Sequence, residues 1–279
     1  DFNYYLHLTG WDDAEDTTSS HAIEFSDRFL PDGGRSISSS TFNDPVHVEA
    51  VAADILTLAV GDLDGDGDDD LIAGMDVAGT STDSVITIYK NSNNLYSSTN
   101  FNNPVEITLD SSSVDGDILD IASYDIDGDG FDDIVAGTQD NSLIILKSPG
   151  GSNTWIDSNW ESASANWLLV EDNAGDDVFA IDVGNLAGSS DKDIVIGLDA
   201  VGSNDELQAY THPGADPFTS IWSSIPTLVR NSAVDITDVT IGDMDDDGDN
   251  DVAYVISDTD TVGFSSNDGD DTFTHMSNM

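Results

Sequence analysis

Residues 54–74 read DILTLAVGDLDGDGDDDLIAG, and this stretch decides the fold. It opens on a partly alternating apolar run (Leu56, Leu58, Val60), turns through nine residues of which six are aspartate, and closes on Leu71-Ile72-Ala73. Apolar runs this short, bounded by Asp and Gly, read as two strands joined by a tight loop. The pattern returns at 117–137 (DILDIASYDIDGDGFDDIVAG), 177–197 (DVFAIDVGNLAGSSDKDIVIG) and 235–255 (DITDVTIGDMDDDGDNDVAYV), with starts 63, 60 and 58 residues apart.

A third strand is expected downstream of each pair, at Val85–Tyr89, Leu143–Leu146 and Leu207–Tyr210 in the first three copies. Turn-rich segments follow, and an aromatic residue (Phe42, Phe101, Trp160, Trp222, Phe273) then opens the approach to a fourth strand. Each repeat therefore reads as four antiparallel strands with no helical stretch. About 60 residues per four-stranded sheet is the period of a β-propeller blade. The expectation is an all-β chain: four complete blades at roughly 54–116, 117–176, 177–234 and 235–279, and a partial N-terminal blade at 1–53 holding strands two to four. The 1–53 assignment rests on spacing, since Gly10-Trp11-Asp12 through Phe25 matches Gly74-Met75-Asp76 through Tyr89. The whole reads as one propeller domain or an arc of a larger one.

The loops carry the chemistry. Numbered 1 to 9, the first has carboxylates at Asp62, Asp64, Asp66 and Asp70, the second at Asp125, Asp127, Asp129 and Asp133, and the fourth at Asp243, Asp245, Asp247 and Asp251 (positions 1, 3, 5 and 9). Position 6 is glycine in all three, and position 7 (Asp68, Phe131, Asp249) can offer a backbone carbonyl. Calcium takes six to eight oxygen ligands, which such a loop supplies, whereas magnesium demands stricter octahedral geometry. An EF-hand would need a glutamate at position 12, where Ala73, Ala136 and Tyr254 stand. Three Ca²⁺ sites are expected. In the third copy Asn185, Ala187 and Ser189 replace the first three carboxylates, Asp191 and Asp193 remain, and Lys192 stands between them, so that loop is expected to be empty. Asp193→Ala is accordingly expected to cost little, and Asp64→Ala or Asp127→Ala to lower the melting temperature in a chelator-sensitive way.

The pattern D-x-D-x-D-G-x-x-D between two strands, repeated at about 60 residues, resembles the FG-GAP/VCBS repeats of calcium-loop propellers such as integrin α-subunit heads. Residues 54–279 carry the resemblance through these motifs, and 1–53 only through strand spacing. It implies loops on one rim, tying strand one to strand two in a mainly structural role, with ligands often taken at the opposite rim. Such repeats occur in adhesins, lectins, polysaccharide lyases and surface-layer proteins, so the resemblance speaks to fold more than to activity.

Composition narrows the function further. The 279 residues carry 56 Asp+Glu against 6 Lys+Arg, a formal charge of −50, and no cysteine. That charge repels phosphate and anionic headgroups and argues against nucleic-acid or membrane-surface partners. No apolar run has the length of a membrane span. The three intact loops hold 17 of the acids, so 39 lie elsewhere. Acidity of this degree suits a saline setting, and millimolar calcium suits an extracellular or cell-surface one. The chain begins at Asp1, which reads as a processed chain or a piece of a longer one. His7, His21, His47, His212 and His275 stand in no catalytic motif. The chain therefore reads as a non-enzymatic adhesion or recognition module for a protein or glycan, or else as a structural subunit of a surface layer or filament that pairs with copies of itself. A carbohydrate-active enzyme is the least supported reading. Trp160 and Trp222 recur in register and read as packing between blades, while Trp155 and Trp167 lie outside the register and are candidates for ligand contact.

Overall fold

The computed structural model describes residues 54–76, 84–91, 104–109, 116–139, 142–160, 167–172, 176–186, 191–199, 206–214, 216–225, 228, 234–269 and 272–276. The chain divides into two units, Asp1–Val46 and His47–Met279, and every described residue belongs to the second. The expected partial blade at 1–53, with Trp11 and Phe42, lies outside the described residues.

Among the described residues sixteen strands form four four-stranded antiparallel sheets, each drawn from one repeat. Blade 1 holds β1 (Ile55–Gly61), β2 (Asp70–Met75), β3 (Ser84–Tyr89) and β4 (Val105–Leu109), and blade 2 holds β5 (Ile118–Tyr124), β6 (Asp133–Thr138), β7 (Ser142–Leu146) and β8 (Trp167–Asp172). Blade 3 holds β9 (Val178–Gly184), β10 (Asp193–Leu198), β11 (Leu207–Thr211) and β12 (Ser223–Ser224), and blade 4 holds β13 (Ile236–Gly242), β14 (Asp251–Ile256), β15 (Thr261–Asn267) and β16 (Phe273–Met276). Strand order within each sheet follows the chain. The first strand of every blade slips register near its start, between Ile55 and Thr57 in β1 and at the corresponding places in the others, a bulge that sharpens the strand's twist.

One expectation needs correcting. Where no helical stretch was expected, the connection from β7 to β8 holds a 3-10 turn (Gly151–Asn153) and one turn of α-helix, α1 (Asp157–Trp160), and the aromatic marker Trp160 ends α1 on the approach to β8. Its indole N–H donates to the Thr154 carbonyl at 2.8 Å, which ties this connection down. Trp222, next to β12, makes the matching bond to Pro217 O at 3.0 Å.

Blades pack face to face, and most of the described core lies in the layers between them, with a smaller cluster of Ala73, Met75 and Tyr89 within blade 1. Ile72, Ile86 and Ile107 of blade 1 meet Ile118, Ile134, Ile144 and Trp160 of blade 2. Val135 and Ile145 meet Val178, Ile196 and Trp222 at the next junction, and Val195 and Leu207 meet Ile236, Val252 and Phe273 at the last. Because β6, β7 and β10 are covered on both faces, every residue in them is buried and their sequences are almost continuously apolar. Trp160 and Trp222 are buried in these layers, as the repeat register implied.

A glycine near the end of the second strand in blades 1, 2 and 3 sets how closely the next blade approaches. A Cβ at Gly74 would stand 2.6 Å from Ile118 Cγ2, one at Gly137 2.5 Å from Val178 Cγ1, and one at Gly197 2.7 Å from both Ile236 Cγ2 and the Ile236 carbonyl. The first residue of each following blade thus seats in a notch. Blade 4 has Val255 at this place. Gly137→Ala is expected to cost about 1–3 kcal/mol, since backbone as well as side chain must move. Gly242→Ala, with nothing within 4 Å, is expected to cost little, and urea midpoints of the two variants check the contrast.

Carboxylates on the first strands join neighbouring blades directly. Asp120 in β5 accepts from Thr57 Oγ1 behind it (3.1 Å) and from Ile181 N ahead of it (2.7 Å), and Asp182 in β9 accepts from Ile241 N (2.7 Å). Burial pushes the Asp120 carboxyl above the usual range despite these bonds.

Candidate metal centre

Each acidic loop connects the first and second strands of its blade and is wound by its own carboxylates. Asp62 at position 1 accepts from the N–H groups of Gly65 (2.8 Å), Asp66 (3.0 Å) and Gly67 (2.9 Å). Asp125 and Asp243 repeat the last two contacts, to Asp129 and Gly130 and to Asp247 and Gly248. Position 5 accepts from position 7 in all three, at 3.1, 3.1 and 3.0 Å. Residues at position 6 take φ of 87°, 91° and 102°, which explains the glycines there. At position 4 the first two loops also use glycine, whereas the fourth places Asp246 at φ 62°. Asp246→Gly is therefore expected to stabilise blade 4 by about 0.5–1 kcal/mol, strain relief outweighing the greater freedom of the unfolded chain, as a shift in thermal midpoint would show.

Position 9 works differently. Asp70, Asp133, Asp193 and Asp251 open the second strands and are wholly buried. One oxygen accepts from the N–H at loop position 2 (Leu63, Ile126, Leu186, Met244; 2.7–3.3 Å). The other accepts from a backbone N–H at the end of the third strand (Asn91, Ser148, His212, Asn267; 2.8–2.9 Å). This clamp is the same in all four blades, the degenerate one included. Reading Asp193 as a remnant of a lost site missed it; the signal was its presence at position 9 where positions 1, 3 and 5 had been lost. Burial first of all drives Asp70 up to about 7 and Asp133 up to about 8, with the charges of Asp64 and Asp127 adding to the effect.

Among the described residues three carboxylate clusters converge closely enough to share a cation: Asp62, Asp64 and Asp66; Asp125, Asp127 and Asp133; Asp243, Asp245 and Asp251. They fall in the three loops singled out from sequence. Within each, the donor atoms lie within 4.8 Å of one another. Asp64 Oδ1 is buried with no hydrogen-bond partner, as expected of an oxygen shaped for a cation. The all-oxygen donor set fits a hard divalent ion. Asp68, Phe131 and Asp249 occupy position 7 as expected. In the third loop Asn185, Asp191 and Asp193 are described and Ser189 is not; Asp191 lies 3.6 Å from His212 Nδ1.

The first and third loops also lean on the following blade. Asp132 and Asp62 exchange two bonds (2.9 and 3.0 Å), and Ser148 and Thr154 donate to the Leu63 carbonyl. At the last junction Asn250 donates to Asn185 O and Asn267 to Leu186 O. The junction between blades 2 and 3 is where this pattern changes. Lys192 stands in place of Asp132 and Asn250, its ammonium 4.7 Å from the Tyr124 ring centre. A cleft of about 400 Å³ opens there, lined by Asp125, Asp127, Asp191, Lys192 and His212.

Two of the chain's three lysines meet these loops. Lys90 donates to Asp64 and Asp66, and Lys147 to Asp127 and Asp129. Burial works against the Lys90 ammonium, but the bonds to Asp64 and Asp66 outweigh it and hold its pKa above the usual lysine value. In the fourth loop Ser266 stands in the corresponding place. Trp155 has a counterpart after all: its ring lies 4.9 Å from Lys90 Nζ, as that of Phe218 lies 5.2 Å from Lys147 Nζ. Its indole N–H also donates to Asp64 Oδ2 at 2.8 Å. Trp167 is the first residue of β8 and pairs with Leu146. Of the histidines, His212 and His275 are described; His275 Nδ1 bonds Ser265 Oγ across β15 and β16 at 2.6 Å, and Ser265 is buried.

Fold and site together define an all-β chain of consecutive four-stranded antiparallel sheets whose strand-one-to-strand-two loops gather carboxylates suited to cations. No family model and no curated protein matches the chain. Solved structures similar to it include BBS1N, solved in complex with ARL6DN and soaked with lead (12% identity over 84% of this chain and 58% of that one, TM-score 0.46). Others are the exotype rhamnogalacturonan lyase YesX (17%, 72% and 39%, TM-score 0.44) and the V. cholerae biofilm matrix protein Bap1 (14%, 78% and 38%, TM-score 0.38). The chain spans 38–58% of the length of these structures. At such identities and TM-scores no activity carries across. No described helix is long and apolar enough to cross a membrane.

Proposed function

We propose that the chain is a calcium-fastened β-propeller of FG-GAP/VCBS type, or an arc of one, working outside the cell or on its surface in saline surroundings as a recognition module for a protein or glycan. The observation that carries this reading is the row of three carboxylate clusters in loops braced by adjoining blades. Asp62, Asp64, Asp66 and Asp70 would hold the first ion with the Asp68 carbonyl, and the second and fourth loops would use their equivalents. A bound ion would supply positive charge among carboxylates that otherwise repel one another. The protein residues wind the loop, present the oxygens and transmit the resulting rigidity between blades. Trp155 and Trp167 are the aromatic residues proposed for ligand contact, and the bond from Trp155 to Asp64 would couple such contact to the first loop. We assign the chain no catalysis.

A structural subunit is the second reading, favoured by one observation. Leu58 and Val60 on β1 are 59% and 62% exposed, and Val262 on β15 is 63% exposed, so apolar side chains face outward on both the first and the last described blade. Molar mass by light scattering in concentrated salt, with calcium and then with chelator, separates the two readings. A calcium-loaded monomer that binds a glycan or protein saturably supports recognition. Reversible calcium-dependent growth into large species supports assembly.

A further inference from the structure

We propose that Lys90 and Lys147 are resident counter-ions of the first and second loops, ammonium groups that calcium must displace, and that they split the three loops into one tight and two weaker calcium sites. The proposal rests on the calcium reading above and deepens it.

The two lysines hold one repeat position, immediately before the backbone N–H that binds the position-9 aspartate (Asn91 and Ser148). At that position blades 3 and 4 have Thr211 and Ser266. In a chain with three lysines among 279 residues, two fall at equivalent points. Each does the same thing. Lys90 Nζ bridges position 3 (Asp64) to position 5 (Asp66, 2.8 Å), and Lys147 Nζ bridges Asp127 to Asp129 (2.8 Å). An aromatic ring from the following blade stands over each ammonium, Trp155 on the first and Phe218 on the second. At this place the fourth loop has, among the described residues, the Ser266 hydroxyl, 3.4 Å from Asp245.

Calcium bonds carboxylate oxygens at about 2.3–2.6 Å and its affinity follows the charge of its ligand set. An ammonium bound to the same carboxylates lowers the loop's negative charge by one and repels the arriving ion. The first two loops therefore keep a cation between positions 3 and 5 when calcium is scarce, and the fourth does not. Trp155 reports the exchange, because its N–H shares Asp64 Oδ2 with Lys90.

Calorimetric calcium titration of the full chain tests this, with tryptophan fluorescence followed in parallel. The expected result is three ions in two classes, one tight and two weaker, with the fluorescence change tracking a weaker one. Lys90→Met and Lys147→Met should each move one ion into the tight class, a gain of about tenfold or more. Ser266→Lys, which removes no carboxylate and exchanges a buried hydroxyl 3.4 Å from Asp245 for an ammonium, should weaken the tight site by a similar factor, so the test survives if a lysine variant folds poorly. Three ions of equal affinity in the unaltered chain, or a tight site indifferent to Ser266→Lys, would overturn the proposal while leaving the calcium reading intact. No stoichiometric calcium in any variant would overturn both.

Discussion

Asp193→Ala is expected to destabilise the protein by about 3–5 kcal/mol, by the same amount in calcium and in chelator. The side chain is wholly buried and accepts from Leu186 N at 2.7 Å and His212 N at 2.9 Å. Its removal strands two backbone donors, each costing about 1–3 kcal/mol, and leaves a small cavity. The sequence reading expected a minor effect, because it treated position 9 purely as a metal ligand. Asp245→Ala gives the opposite signature: that side chain is exposed and belongs to a carboxylate cluster, so its loss should be felt in calcium and vanish in chelator. Urea unfolding of both variants in the two buffers measures the difference. An Asp193→Ala loss below about 1 kcal/mol, or one confined to calcium, would show that the buried clamp contributes little.

The second large effect is a reversal of pH dependence. In chelator the melting temperature is expected to fall as pH rises from about 5 to about 8.5, and in calcium to rise. Asp70 and Asp133 are pushed up to about 7 and about 8 in the fold, against 3.8 for the ordinary group. Between those values the folded chain keeps protons that the unfolded chain has released. Their contribution is therefore fully present below about pH 4 and is lost as pH climbs through 7 and 8. Asp120 shifts the same way. Each unit of separation is worth about 1.4 kcal/mol, so two buried carboxylates move the balance by several kcal/mol. Calcium needs the ionised ligands and releases protons on binding, which reverses the slope. Thermal scans across pH in both buffers provide the check, and slopes of one sign in both would refute the account.

Most of the strand plan was legible because two periodicities coincide: alternation within strands and a spacing near 60 residues between Asp-rich loops. Third strands fall within a residue of the expected bounds, since their apolar runs end at turn residues. The α1 turn was not legible, because four residues ending at Trp160 carry no helical period of their own. The three cation clusters could be read because position 6 glycine and alternate aspartates state a local requirement. The links between blades could not. Asp120, Asp132 and Asp182 look like any other acid in a chain with 56 of them, and only the packing shows that they accept or exchange bonds with another blade. The lysines were hidden for the same reason, lying 26 and 20 residues from the aspartates they meet.

The notch glycines amount to a rule of succession among the repeats. Blades 1, 2 and 3 can each be followed by another blade that inserts an isoleucine or valine at its first residue, as Ile118, Val178 and Ile236 do. Blade 4, with Val255 where the others have glycine, cannot be followed in that manner. Shuffled or lengthened versions of this protein would therefore have to be spliced after one of the first three blades, or carry Val255→Gly, for the added blade to seat.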